Sequence, residues 1–329
     1  MNIALVQTFE ITDPQQKQFH RIVLLKSGVA VGLFSQNDTC HLQWFGNDGK
    51  SITPVPFITD EIFASPALFH FDHYVGIYSS KNDYVVLFDE QDKANPVKIP
   101  IENKLPAIRF PGFLKTLTNY KYAGNTDDHI IPVLFTQAGL LPVYIADLQI
   151  DMNKGVATWL NLLYWNNKTP ISPDAESFAK PEKHFALLHA LRKQNTSYTW
   201  GIGNRDSGYL KPGMEFSELA ITGETGMIKE TLFSLGRLYK EAKKGGKECI
   251  FSSSGEYAIL TPVYKSDDWK NKQKLFDLSK KELIDIDFPK SLSGHRIIDH
   301  QNDSFLLADN YINLVFARTT GIIICQVEK

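Results

Sequence analysis

The chain is poor in cysteine, with Cys40, Cys249 and Cys325 far apart and odd in number. No C-x-x-C spacing occurs, which excludes a zinc knuckle or a redox pair. The three thiols read as reduced core residues. Charge of one sign is also missing: 35 Lys and Arg stand against 37 Asp and Glu, a formal charge of −2. That excludes a globally basic nucleic-acid binder and an acidic tail. No apolar run approaches the ~18 residues of a membrane span; the longest, such as 321–325, are strand-sized. The first ten residues lack the basic start and apolar stretch of a signal peptide. The expectation is a soluble cytoplasmic protein away from membranes, with the N-x-[ST] matches at Asn37, Asn167, Asn195 and Asn302 being chance matches in turns. No Pro/Ser/Gly-rich linker or low-complexity block divides the 329 residues, so 1–329 reads as a single domain.

What is present is an ordinary globular composition, 43% apolar and 22% charged, enough for a sizeable core. Short apolar runs recur, rich in β-branched and aromatic side chains: 84–88, 129–135, 304–308 and 312–316. These are strand signatures. Several are apolar throughout rather than alternating, as expected of strands covered on both faces. Between runs stand Asn47-Asp48-Gly49-Lys50, Asn153-Lys154-Gly155, Thr222-Gly223-Glu224, Ser254-Gly255-Glu256 and Thr319-Thr320-Gly321, suited to the positive φ of tight hairpins.

A repeat runs through these runs. An apolar-Phe pair, a short polar turn and another apolar strand recur at 44–52, 87–93, 275–284 and 315–323, with weaker copies at 146–159 and 220–229. Repeats of this period suggest a propeller or solenoid. Counting the preceding runs gives six four-strand units. They are 20–26, 29–35, 40–46, 51–57; then 67–71, 74–79, 84–89, 96–101; then 113–118, 129–136, 142–149, 156–164; then 184–191, 197–203, 215–222, 227–233; then 248–252, 257–265, 274–277, 282–288; and 295–299, 304–308, 312–317, 321–327. The expected fold is all-β, a six-bladed β-propeller of four-stranded antiparallel blades, with seven blades as the alternative. The remaining run 3–9 would pair with the last unit and protect its edge. Segments 180–192 and 230–244 carry helix-forming residues; they are read as a strand, and as a strand followed by a loop or short helix.

Phe88-Asp89 and Phe276-Asp277 resemble the Trp-Asp ending of a WD-repeat third strand, and Gly294-His295 resembles that family's Gly-His. The segment from Phe251 to Asp277 is the most similar to a whole blade. The resemblance spans much of the chain in rhythm and a few residues in motif, and no unit carries both Gly-His and Trp-Asp. It implies a rigid platform for binding other proteins and no catalytic residue.

Candidate chemistry is sparse. His70-Phe71-Asp72-His73 and Asp299-His300 carry imidazole and carboxylate, which suit zinc or manganese. Their recurrence at the same place in two units favours a structural role, such as a strand-end Asp bonding a turn. Lys244-Gly245-Gly246-Lys247 lacks P-loop spacing, and Gly201-Ile202-Gly203 lacks the third glycine of a dinucleotide fingerprint. Ser252-Ser253-Ser254-Gly255 reads as a hairpin turn, and no G-x-S-x-G occurs. Neither a metal nor a cofactor is expected.

Loop length points further. In a propeller, the links between blades and the second-to-third-strand turns share one face. The elaborated segments 165–183, 234–247, 204–214 and 266–273 all belong to it, and on the other face most turns are short, with 119–128 the exception. Function gathers on such loops. They carry Trp165, Arg205, Asp206, Tyr209, Lys243, Lys244 and Trp269, and exposed Trp, Tyr and Arg are the side chains enriched in binding hot spots. The leading expectation is a non-catalytic scaffold that binds another protein through this face. A metal-dependent hydrolase or lyase with a site at the central channel is the alternative, since six-bladed lactonase-type hydrolases hold a divalent metal there. An RNA-binding propeller using the basic stretch 237–247 is the weaker third.

Overall fold

The computed structural model describes residues 9–12, 18–36, 39–45, 51–56, 67–78, 82–104, 108–110, 113–115, 118–123, 129–136, 144–164, 169–170, 184–193, 196–204, 217–222, 228–234, 247–262, 273–286, 290–292, 295–309, 317–318 and 321–326. Among the described residues, apart from a one-turn 3-10 segment at Lys290–Leu292, the regular structure is strand, and the fold is all-β. No helix among the described residues is long and apolar enough to cross a membrane. The chain divides into two compact units: 1–63 with 245–329, and 64–244.

The first unit holds three antiparallel meanders. The first meander is Gln18–Leu24, Ala30–Gln36, Thr39–Phe45 and Ser51–Pro56. The fifth is Lys247–Phe251, Tyr257–Pro262, Lys274–Asp277 and Glu282–Asp285. The sixth joins both ends of the sequence: His295–Gln301, Ser304–Asp309 and Gly321–Gln326 are completed by Phe9–Thr12. A buried core runs through all three, including Ile22, Leu24, Phe34, Phe45, Ile259, Leu275, Ile297, Phe305 and Leu307.

The second unit holds the other three. Ala67–Phe71, Tyr74–Tyr78, Tyr84–Asp89 and Val97–Pro100 form the second meander. Thr118–Ala123, Ile130–Thr136, Tyr144–Asp151 and Val156–Tyr164 form the third. The fourth is His184–Lys193, Thr196–Asn204, Ser217–Thr222 and Ile228–Ser234. The second and third meanders join in one sheet, because their first strands pair in parallel at Leu68 and Tyr122. Val85, Val86, Leu87 and Phe88 are all buried, so both faces of that strand are covered, as its unbroken apolar run requires. Gly76 lies opposite Phe69, whose ring atoms occupy the space a Cβ would take, at 2.1 Å. The buried ring fills the gap a glycine leaves in a strand.

Two expectations need correction. The third meander does not begin at 113–118. Phe113–Lys115 pairs instead with Ile108–Phe110. The first strand is Thr118–Ala123, where Tyr120 and Tyr122 supply β propensity. In the sixth meander the third strand is the apolar run Gly321–Gln326, which pairs on both sides, with Ser304–Asp309 and Phe9–Thr12. Of the expected third strand at 312–317 only Ala317 is described; with Arg318 it pairs with Phe19 and Gln18 of the first meander, and 310–316 lie outside the described residues. An N-terminal strand pairs with the last sheet as expected: the described strand is Phe9–Thr12, and 3–8 of the expected run 3–9 lie outside the described residues.

The two helix-prone segments contain strands. His184–Lys193 forms a hairpin with Thr196–Asn204, so pairing overrides local propensity. Ile228–Ser234 pairs with Ser217–Thr222, and 235–246 lie outside the described residues.

Candidate functional site

In an antiparallel meander, the first-to-second and third-to-fourth turns lie at one strand end, and the other connections lie at the opposite end. The described polar chemistry gathers at the first end. Its simplest element ends the third strand. Asp89, Asp151 and Asp277 are each the last residue of that strand, and each carboxylate accepts a hydrogen bond from the backbone N–H two residues on. Asp151 accepts from Asn153 N at 3.1 Å and Lys154 N at 3.0 Å. The N–H of Lys154 leads the interactions that hold the Asp151 carboxyl below its ordinary range. At Asp277, burial works to raise the carboxyl, but hydrogen bonds from Lys280 and Ser279 outweigh it and the group sits low. This is an Asx turn repeated. The Phe-Asp pairs therefore have a physical reason in turn capping, and Asp151 is a third copy that the motif alone did not reveal.

The first-to-second turns carry the larger cluster. In the first unit it centres on Asp299, buried near the end of the sixth meander's first strand. Its Oδ1 accepts from Ser253 N at 2.7 Å and His300 N at 2.8 Å. Its Oδ2 accepts from Leu24 N at 2.6 Å and from the Ser253 hydroxyl. One carboxylate thereby ties the first, fifth and sixth meanders. Burial pushes the Asp299 carboxyl above its ordinary value, against the pull of these four donors. Three of the four are N–H groups, which cannot reverse. A protonated Asp299 could donate only to the Ser253 oxygen.

Beside it, His300 Nδ1 lies 3.0 Å from Ser254 Oγ, which lies 3.0 Å from Ser252 Oγ. The Ser252 oxygen accepts from Tyr257 N, and Gly255, at φ +67°, closes the turn by donating to the Ser252 carbonyl. The hairpin turn expected at 252–255 is present. The His300 ring packs against Tyr257 and Phe305. Burial pushes its pKa down to about 4, with Asp303 pulling the other way. Held neutral, His300 makes no ion pair with Glu256, although Oε2 lies 3.9 Å away. Ser, His and Asp are neighbours here without the wiring of a catalytic triad: Asp299 bonds the backbone N–H of His300, not its ring.

In the second unit the equivalent turns meet through an exposed pair. His129 Nε2 lies 2.7 Å from Asp72 Oδ2, joining the third and second meanders. Both residues are non-glycine at positive φ, 56° and 46°. The His129 ring packs on Phe71. Asp72-His73 and Asp299-His300 do not occupy the same place: Asp72-His73 is the two-residue turn that corresponds to Asn302-Asp303, whereas Asp299 and His300 lie within the strand before that turn. Among the described residues no group of three or more His, Cys, Asp or Glu converges as a metal site.

Side-chain amides add backbone-like clasps. Asn103 donates to Trp159 O at 2.8 Å and accepts from Trp159 N at 2.7 Å. Gln273 donates to His295 O at 2.9 Å and accepts from Ile297 N at 2.7 Å. Nothing in the local sequence marked these residues, because each partner lies far along the chain.

Trp165, Arg205, Asp206, Tyr209, Lys243, Lys244 and Trp269 all lie outside the described residues. The strands bounding them are described. Trp165 follows a fourth strand, Lys243 and Lys244 lie between Ser234 and Lys247, and the others fall between second and third strands. Each segment therefore leaves its own meander at the end opposite the Asp-rich turns.

No protein-family model matches the sequence, and no curated protein matches it. Among solved structures, the Neurospora crassa Pan2 WD40 domain is 9% identical with a TM-score of 0.44, over 94% of this chain and 76% of that one. The RRP9 WD40 repeats are 8% identical with a TM-score of 0.49, over 100% and 99%. An oligogalacturonate lyase in complex with manganese is 6% identical with a TM-score of 0.46, over 98% and 91%.

Proposed function

We propose that this chain is a non-catalytic interaction scaffold of the cytoplasm, a single six-bladed β-propeller over 1–329 that engages another protein through its elaborated loops. The observation that carries this reading is a division of labour between the two strand ends. At one end most turns are short, two residues at Asp72-His73 and at Asn302-Asp303, the link from Ala123 to Ile130 being the exception, and Asp72 and Asn302 bond within the protein. At the other end the chain runs from Asn204 to Ser217, from Ser234 to Lys247 and from Pro262 to Lys274 between successive strands. Elaborated loops on a rigid scaffold are where binding is placed. Trp165, Tyr209 and Trp269 are the anchors, with Arg205, Asp206, Lys243 and Lys244 as the charged surround.

The test is affinity purification from the native host with the parent chain and with a Trp165→Ala, Tyr209→Ala, Trp269→Ala variant. The variant should lose the partner that the parent recovers while keeping the parent's β-type circular dichroism. Recovery of the same partner by the variant would overturn the face assignment. A stoichiometric divalent ion in the purified protein would favour a metal-dependent reaction instead.

A further inference from the structure

We draw no further inference here: the strongest candidate, the separate hairpin of Ile108–Phe110 and Phe113–Lys115 in the link between the second and third meanders, joins no other sheet among the described residues, and nothing in the structure shows what covers it.

Discussion

Two seams between meanders use the same residue types at the same strand end and arrive at opposite physics. Around Asp299, a buried carboxylate takes four donors from three meanders. Between Asp72 and His129, a single contact joins two meanders, with side chains 45% and 33% exposed. The difference is burial. A buried acceptor stripped from its donors leaves each N–H with nothing, at a cost of about 1–3 kcal/mol per group. An exposed pair that is broken hands both partners to water, and such pairs contribute roughly 0–1 kcal/mol. A carboxylate at this strand end therefore marks a seam, and its burial says how much the seam depends on it.

Asp299→Ala should break the contrast most strongly, since it orphans the N–H groups of Leu24, Ser253 and His300 together. A loss of about 3 kcal/mol or more is expected in urea unfolding, with thermal denaturation following. A loss below about 1 kcal/mol would show that water replaces the carboxylate and that the seam is not dry. The amide clasps come next. Asn103→Ala should cost about 1–2 kcal/mol, because Trp159 loses both a donor and an acceptor to its backbone. An unchanged unfolding midpoint would place that clasp with the exposed contacts. His129→Ala should have the smallest effect, about 0.5 kcal/mol, further reduced by added salt in the parent. Relief of the positive φ would not follow, because alanine tolerates that region no better than histidine.

Much of this was legible in the sequence, for identifiable reasons. The strands at Ala67–Phe71, Tyr84–Asp89, Val156–Tyr164 and Lys274–Asp277 agree with their expected limits, because an unbroken apolar run between turn residues has few other homes. The glycine turns at Gly155 and Gly255 take the positive φ expected of them. The Asp at the end of the third strand was visible as a motif, and its capping geometry now explains the motif. The limits of legibility are equally physical. Asp72 and Asn302 adopt positive φ without glycine, at 46° and 53°. The sixth sheet takes Phe9–Thr12 from the other end of the sequence, a pairing that the count of strands in the last unit made legible although no local pattern fixes its register. The same holds for Asp299, which was recognisable as a polar strand end, whereas its bond to Leu24 spans 275 positions. The expected binding residues rest on loop length alone, which locates a face and does not define its geometry.

A double-mutant cycle measures the contrast directly, by unfolding Asp299→Ala, Ser253→Ala and their combination beside Asp72→Ala, His129→Ala and theirs. The coupling between Asp299 and Ser253 should reach about 2 kcal/mol, and that between Asp72 and His129 should stay below about 1 kcal/mol. Equal couplings, or a larger one for the exposed pair, would contradict the view that burial of one carboxylate sets the two seams apart.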